Sequence, residues 1–313
     1  MRILEYPNSK ELNKALKRPV FDNRTLEKAV RKIIKQVQVK GDRALFELTK
    51  KYDKAAINTL KVPAEEISKS EKLIQDDLKN AIRIATENID RFHKAQIPKV
   101  VEIETTKGVI CWQKPVPMEK VGLYIPGGSA PLISTVLMLG IPAKIAGCKQ
   151  VFLSTPPDKN GNINPAILYA AKISGITEIF TCGGAQAIAA MAFGTESIPK
   201  VDKIFGPGNQ FVTMAKQIIS SQGIAIDMPA GPSEVMILAD ETANPEFVAA
   251  DLLSQAEHGT DSQVVLVTNN KQTANQTITC LYKQIEALPR KEIAKKSLES
   301  GVIILVKDEN EMI

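Results

Sequence analysis

The residues whose types and spacing could do chemistry lie in three glycine turns and at one helix end. Gly127-Gly128-Ser129-Ala130 stands between a strand-like and a helix-like stretch. There, backbone N–H groups and the positive end of a helix can face an anion. Gly183-Gly184-Ala185-Gln186 and Gly206-Pro207-Gly208-Asn209 repeat the arrangement. Each alone is equally a plain strand-to-helix turn, and Asn209 equally a plain N-cap. Three such turns along one parallel sheet point to a cleft at its carboxyl edge that takes a nucleotide or a similar anion. None is G-x-G-x-x-G. The strand after the first turn ends in Ser154-Thr155, not in the acid that grips a ribose in Rossmann sites.

The helix end is Ser254-Gln255-Ala256-Glu257-His258-Gly259, in a helix entered at Asn244-Pro245. Gln255 and His258 are three apart and so share a helical face, where an imidazole and a carboxamide oxygen can hold a transition metal. A His in a last helical turn is also explained by the helix dipole, and Gly259 suits the left-handed position that follows. The chain's other histidine, His93, lies on an amphipathic helical stretch and reads as structural. Cys148 and Cys182 fall near strand ends without a neighbouring His, so they read as buried thiols rather than nucleophiles. Pro229-Ala230-Gly231-Pro232-Ser233-Glu234 reads as a stiff connector in which Ser233 can hydrogen-bond a substrate. Ser233 lies in no G-x-S-x-G elbow, which argues against a serine hydrolase.

The elements that must position these residues follow from hydrophobic periodicity. Helical spacing runs from Arg24 to Tyr52 with an interruption at Gly41, and again from Ala64 to His93. Alternation from Val100 to Val116 predicts a hairpin turning at Lys107-Gly108. Strand and helix then alternate: strands at Val121–Ile125, Val151–Ser154 and Glu178–Thr181, with helices between and after them. From Glu234 the rhythm restarts, with strands at Glu234–Ala239, Gln263–Thr268 and Val302–Val306 and helices at Pro245–Glu257 and Lys271–Ala287. The predicted fold is α/β: two Rossmann-like lobes with parallel sheets, plus a helical N-terminal arm. The expected boundaries are an arm and hairpin at 1–116, a cofactor-binding lobe at 117–232 and a second lobe at 233–313.

Composition bounds the partners. The 313 residues are 44% hydrophobic and 24% charged, enough apolar mass for packed cores. The net charge of +5 is interspersed and aromatics are only 5%, which argues against nucleic acid as the partner. No apolar stretch is long enough for a bilayer, and Met1–Pro7 does not read as a targeting signal. Four cysteines without a CxxC pair fit reduced thiols and a cytoplasmic location.

Taken in order, Val121-Gly122-Leu123-Tyr124-Ile125-Pro126-Gly127-Gly128, Cys182-Gly183-Gly184-Ala185-Gln186-Ala187, Gly206-Pro207-Gly208-Asn209, Asp227-Met228-Pro229-Ala230-Gly231-Pro232-Ser233-Glu234 and Gln255-Ala256-Glu257-His258-Gly259 closely resemble the histidinol dehydrogenase family. The resemblance covers nearly the whole chain. It implies an aldehyde-dehydrogenase-like fold and a zinc-dependent homodimer that oxidises L-histidinol to L-histidine through L-histidinaldehyde with two NAD⁺, in histidine biosynthesis. By the same resemblance Tyr124, Gln186 and Asn209 contact NAD, and Ser233, Gln255 and His258 contact histidinol. Gln255 and His258 also become zinc ligands. The family's catalytic Glu–His pair and its remaining zinc ligands, an Asp and a His, follow the strand that ends here at Val306. The resemblance therefore implies that residues 1–313 alone hold zinc weakly and do not turn over. A relative acting on another polar alcohol, a non-catalytic NAD-binding chain and a zinc hydrolase are the competing expectations.

Overall fold

A computed structural model of the chain describes residues 1–17, 23–127, 131–229 and 234–313. The chain opens with β1 (Arg2–Glu5) and α1 (Ser9–Ala15), whose N-terminus is closed by an Asn8/Glu11 capping box. Four helices follow: α2 (Asn23–Lys40), α3 (Asp42–Tyr52), α4 (Ala64–Lys69) and α5 (Asp76–Lys94). A hairpin, β2 (Val101–Thr106) and β3 (Val109–Gln113), leads into an alternating run. That run is β4 (Lys120–Tyr124), α6 (Ile133–Ala146), β5 (Gln150–Thr155), α7 (Pro165–Ile173), β6 (Glu178–Thr181), α8 (Gly184–Phe193), β7 (Lys203–Phe205), α9 (Gln210–Ser220) and β8 (Ala225–Ile226). The last run is β9 (Glu234–Leu238), α10 (Pro245–Ala256), β10 (Gln263–Thr268), α11 (Lys271–Ile285), α12 (Lys291–Ser300) and β11 (Val302–Leu305).

The chain divides into two compact units, Asp22–Pro229 and Met1–Phe21 together with Ala230–Ile313. The larger unit carries a five-stranded sheet in the order β6-β5-β4-β7-β8, all pairs parallel. This is the doubly wound arrangement, with strand order reversing between β4 and β7. Its strands read as unbroken apolar runs because both faces are covered: Leu123, Leu153 and Ile179 are all buried. The smaller unit carries a four-stranded parallel sheet, β1-β11-β10-β9.

Two expectations from sequence are revised. The N-terminal helices are not an arm. In the larger unit α2 and α3 pack against α8 and α9 on one face, where Val30, Ile34, Leu45 and Leu48 join Ile188, Met191 and Ile219 in one core. On the other face α4 packs against α7 and α5 against α6, around Val62, Ile67, Ile82, Leu137 and Ile167. The cause is α8: every residue from Ala185 to Ala192 is buried, and a helix apolar all round needs protein on its outer side as well. The second revision concerns boundaries. The units part after Phe21 and after Pro229, not at 116 and 232, because Arg2–Glu5 pairs in register with Val302–Leu305. Four residues are too few to show strand periodicity, and only their distant partner makes them a strand. Helix α12 and the short strands β7 and β8 are likewise elements that the periodicity does not mark.

A reciprocal clasp holds α3 in the larger unit. The Glu196 carboxylate accepts the Asp42 N–H at 2.7 Å. In return the Asp42 carboxylate accepts Ser197 N–H at 3.2 Å and Ser197 Oγ–H at 2.5 Å. Gly41 precedes the helix with φ +53°, and a Cβ there would run into the Glu196 carboxylate. Gly41→Ala should therefore lower the unfolding free energy by about 1–3 kcal/mol, read from urea denaturation midpoints. A midpoint equal to the wild type's would sink this account of the α2–α3 junction.

Candidate active site

In a doubly wound sheet, ligands bind outside the carboxyl ends of the strands at the point of order reversal. A cavity of about 790 Å³ lies in the larger unit against the segments that follow β4, β5, β6 and β7, among them Gly127, Pro156, Gly184 and Gly208. Tyr124, Gln186 and Asn209 all line it, so the structure brings the three expected cofactor contacts together.

Each is placed by local physics. Tyr124 ends β4, is 3% exposed, and its hydroxyl accepts the Gly184 N–H at 2.9 Å. Burial pushes its phenol well above the usual tyrosine range, so it stays protonated and its O–H remains a donor. Gln186 lies in the first turn of α8 and is 2% exposed. Asn209 is the N-cap of α9, its Oδ1 accepting Phe211 N–H at 3.0 Å and Val212 N–H at 3.2 Å. Its capping role is thus real, and its amide nitrogen is not used by the cap.

Three residues to which the sequence reading gave no role, Lys216, Asp227 and Asp53, shape this site, the first two through the turn at Gly206. Gly206 has φ +129°, and a Cβ there would collide with the Tyr124 carbonyl. Its N–H donates to Asp227 Oδ2 at 2.8 Å, while Lys216 Nζ donates to its carbonyl at 2.8 Å. Lys216, 5% exposed, also forms an ion pair with Asp227. The pair grips one peptide from both sides and thereby sets the turn that carries Asn209. The third is Asp53, at the end of α3, which lines the cavity with its Oδ2 buried and without a hydrogen-bond partner among the described residues. Burial pushes its carboxyl up to about 6. Spacing gives no hint of it, because some seventy residues separate it from Tyr124 in the chain.

Cys182 is fully buried, and desolvation pushes its thiol far above the usual range. Cys148 shifts in the same direction for the same first cause. Neither is poised as a thiolate nucleophile. Gly128, Ser129 and Ala130 of the first turn, and Ser233 of the connector, lie outside the described residues.

Gln255 and His258 belong to the smaller unit. Helix α10 ends at Ala256 with Glu257 as C-cap, so His258 lies in the turn beyond and not on the helix's last face. Its N–H still bonds the Gln255 carbonyl at 3.1 Å, which keeps the two residues in one turn. Gly259 is not left-handed, since its φ falls outside the positive range. Gln255 is half-buried and directs its amide nitrogen to Ser262 Oγ at 3.4 Å, which leaves its carboxamide oxygen as the atom able to ligate; His258 is exposed. In donor type the pair suits zinc, but two donors are half of a four-coordinate shell. Among the described residues no group of three or more His, Cys, Asp or Glu side chains could hold a metal ion.

Comparison with known proteins bears on the whole chain. The sequence model of the family described as histidinol dehydrogenase matches residues 16–313. The histidinol dehydrogenase of Bacteroides thetaiotaomicron is 56% identical over 311 residues, covering 99% of this chain and 73% of the relative. That of Campylobacter jejuni strain RM1221 is 54% identical over 316 residues, with the same coverage of each. The crystal structure of histidinol dehydrogenase from Elizabethkingia anophelis superposes with a TM-score of 0.96 at 51% identity, over 99% of this chain and 72% of that one. With the order of its motifs and its α/β fold in agreement with these matches, the chain belongs to the histidinol dehydrogenase family of oxidoreductases.

Proposed function

We propose that the chain serves the NAD-dependent, zinc-assisted oxidation of L-histidinol to L-histidine by way of L-histidinaldehyde, as a cytoplasmic homodimer. The observation that carries this reading is the gathering of Tyr124, Gln186 and Asn209 around one cavity at the switch point of a doubly wound sheet. When bound there, NAD⁺ supplies the hydride acceptor for both oxidation steps, and zinc the Lewis acid that fixes the substrate's imidazole and amine.

The chain's own part is positioning. The Tyr124 phenol, held protonated by burial, offers a fixed hydrogen-bond donor. The Gln186 amide and the Asn209 amide nitrogen, which the cap does not use, add neutral donors that orient a ligand without adding charge. The Lys216–Asp227 grip on Gly206 fixes the last of these turns. In the smaller unit the Gln255 oxygen and the His258 imidazole are the atoms that would hold the metal. Ser233 would contact the substrate. Across the two steps the alcohol loses a proton and a hydride, water adds to the aldehyde, and the hydrate loses a second hydride and proton.

Further features support the same reading. Within the hairpin β2–β3, Val101, Ile103, Val109, Ile110 and Trp112 are exposed, an apolar surface suited to a second copy of the chain. No described helix is long and apolar enough to cross a membrane.

Titration of the protein with NADH, followed by nicotinamide fluorescence, should give saturable enhancement, and Gln186→Ala should weaken it about tenfold. Enhancement that is absent, or indifferent to Gln186, counts against the cavity as the cofactor site. For the metal, His258→Ala should weaken zinc binding, measured by competition with a chromophoric chelator, by at least about tenfold while leaving NADH binding unchanged. Equal zinc affinity in the two proteins would remove the turn after α10 from the proposal.

A further inference from the structure

Asp53 is the residue in the cavity that the fold itself does not account for. It caps the C-terminal end of α3, its N–H bonding the Thr49 carbonyl at 2.9 Å. Its carboxyl group therefore sits where the helix already concentrates negative charge. Lys50 and Lys51 of the last turn are exposed, and Lys54 directs its ammonium to the Lys51 carbonyl at 2.8 Å. Tyr124 and Cys182 are kept neutral by burial first; the Asp53 charge adds to this as the second cause for Cys182 and as a minor one for Tyr124. Buried oxygens without partners are uncommon, and one on the wall of a ligand-sized cavity points to a donor that arrives with the ligand.

The chemistry of that donor can be narrowed. Beside the neutral donors Tyr124, Gln186 and Asn209, the wall carries three charged residues, Asp53, Asp158 and Lys159; of these Asp53 is the one with a buried oxygen that lacks a partner among the described residues. A carboxylate is an acceptor only; it suits hydroxyl groups and repels phosphate. In doubly wound dinucleotide sites an acid beyond the second strand takes the ribose hydroxyls. Here that strand, β5, ends in Ser154-Thr155 and is followed by two prolines. The next acid, Asp158, already accepts the N–H groups of Asn160 and Asn162 at 2.9 and 2.8 Å within its own turn. Asp158 lines the cavity too, but it is exposed and its Oδ1 is held in its own turn, whereas Asp53, at the end of α3, brings a buried oxygen to the same cavity from the outer helical layer.

We propose that Asp53 accepts the hydroxyl hydrogen bonds of the adenosine ribose of a bound dinucleotide and, by its charge, excludes the 2′-phosphorylated form. The inference rests on the dinucleotide reading of this cavity and names the residue that sets its specificity.

Calorimetric titrations of wild type and Asp53→Asn with NAD⁺, NADP⁺ and NAD⁺ lacking the adenosine 2′-hydroxyl test it. The wild type should prefer NAD⁺ to NADP⁺ by at least about thirtyfold and lose about tenfold with the deoxy analogue. Asp53→Asn should bind NAD⁺ about tenfold more weakly, discriminate against NADP⁺ by less than about threefold, and be indifferent to the missing hydroxyl. Thermal melting separates this role from a structural one. The native carboxyl titrates near 6 against an ordinary 3.8, so its unfavourable charge is absent below about 4 and fully present above about 6. Asp53→Asn should therefore melt no lower than wild type at pH 7.5, with any gain fading by pH 4. A wild type that binds the deoxy analogue as tightly as NAD⁺, or an Asn variant with unchanged affinity and discrimination, overturns the role of Asp53 and leaves the cofactor site standing. A wild type that binds neither NAD⁺ nor NADP⁺ overturns the site reading itself.

Discussion

The contact on which the larger unit's cleft depends is the approach of Gly206 to the backbone of Tyr124. Parallel strands β4 and β7 pair directly, and the chain leaving β7 must cross the end of β4 with no room for a side chain. Such proximity of two peptides is stable only if their polar groups are satisfied, because a buried peptide without partners is costly. Lys216 and Asp227 meet that requirement from opposite sides, and being paired they also neutralise one another. The consequence is a turn whose position is fixed to hydrogen-bond accuracy, with Asn209 at its end capping α9. A ligand cavity that must orient a reacting carbon against an acceptor needs walls of that stiffness.

A second consequence of packing reaches the same cavity from outside the sheet. Helix α8 is buried on all sides, so the sheet alone cannot cover it. Helices α2 and α3 complete the cover, locked by the exchange of hydrogen bonds between Asp42 and the Glu196–Ser197 turn. The end of α3 then falls beside Tyr124 and Gly184, and Asp53 arrives with it. A charged wall residue is thus supplied by an element whose reason for being there is apolar. In the same way β1, from the start of the chain, completes the smaller unit's sheet by pairing with β11.

The fold class was legible because parallel strands covered on both faces must be apolar in their middle, and β4, β5, β6, β10 and β11 are. Helix starts were legible wherever Asn precedes Pro or follows a strand, as at Asn164, Asn209 and Asn244, since capping is a local act. The glycine turns located the cleft for the same reason: what a tight turn requires is written in the residues that form it. The end of α10 was misjudged by a single residue, which leaves His258 beyond the helix. Helix termination depends on competition among neighbouring caps, and Gly259 proved not to be the left-handed stop.

By itself, then, the amino-acid order determined what short-range physics can read: strand and helix rhythm, caps, the carboxyl-edge turns, the donor types of Gln255 and His258, and the ordered motifs of a family. Tertiary structure alone decided which distant segments share a surface. It made Arg2–Glu5 an edge strand, split the N-terminal helices over both faces of a sheet, closed Lys216 and Asp227 on Gly206, and left the carboxylate at the end of α3 without a partner among the described residues of the cleft. The physical reason is that burial is non-directional and has no memory of sequence distance, so pairings separated by tens or hundreds of residues emerge only when the apolar faces have been packed.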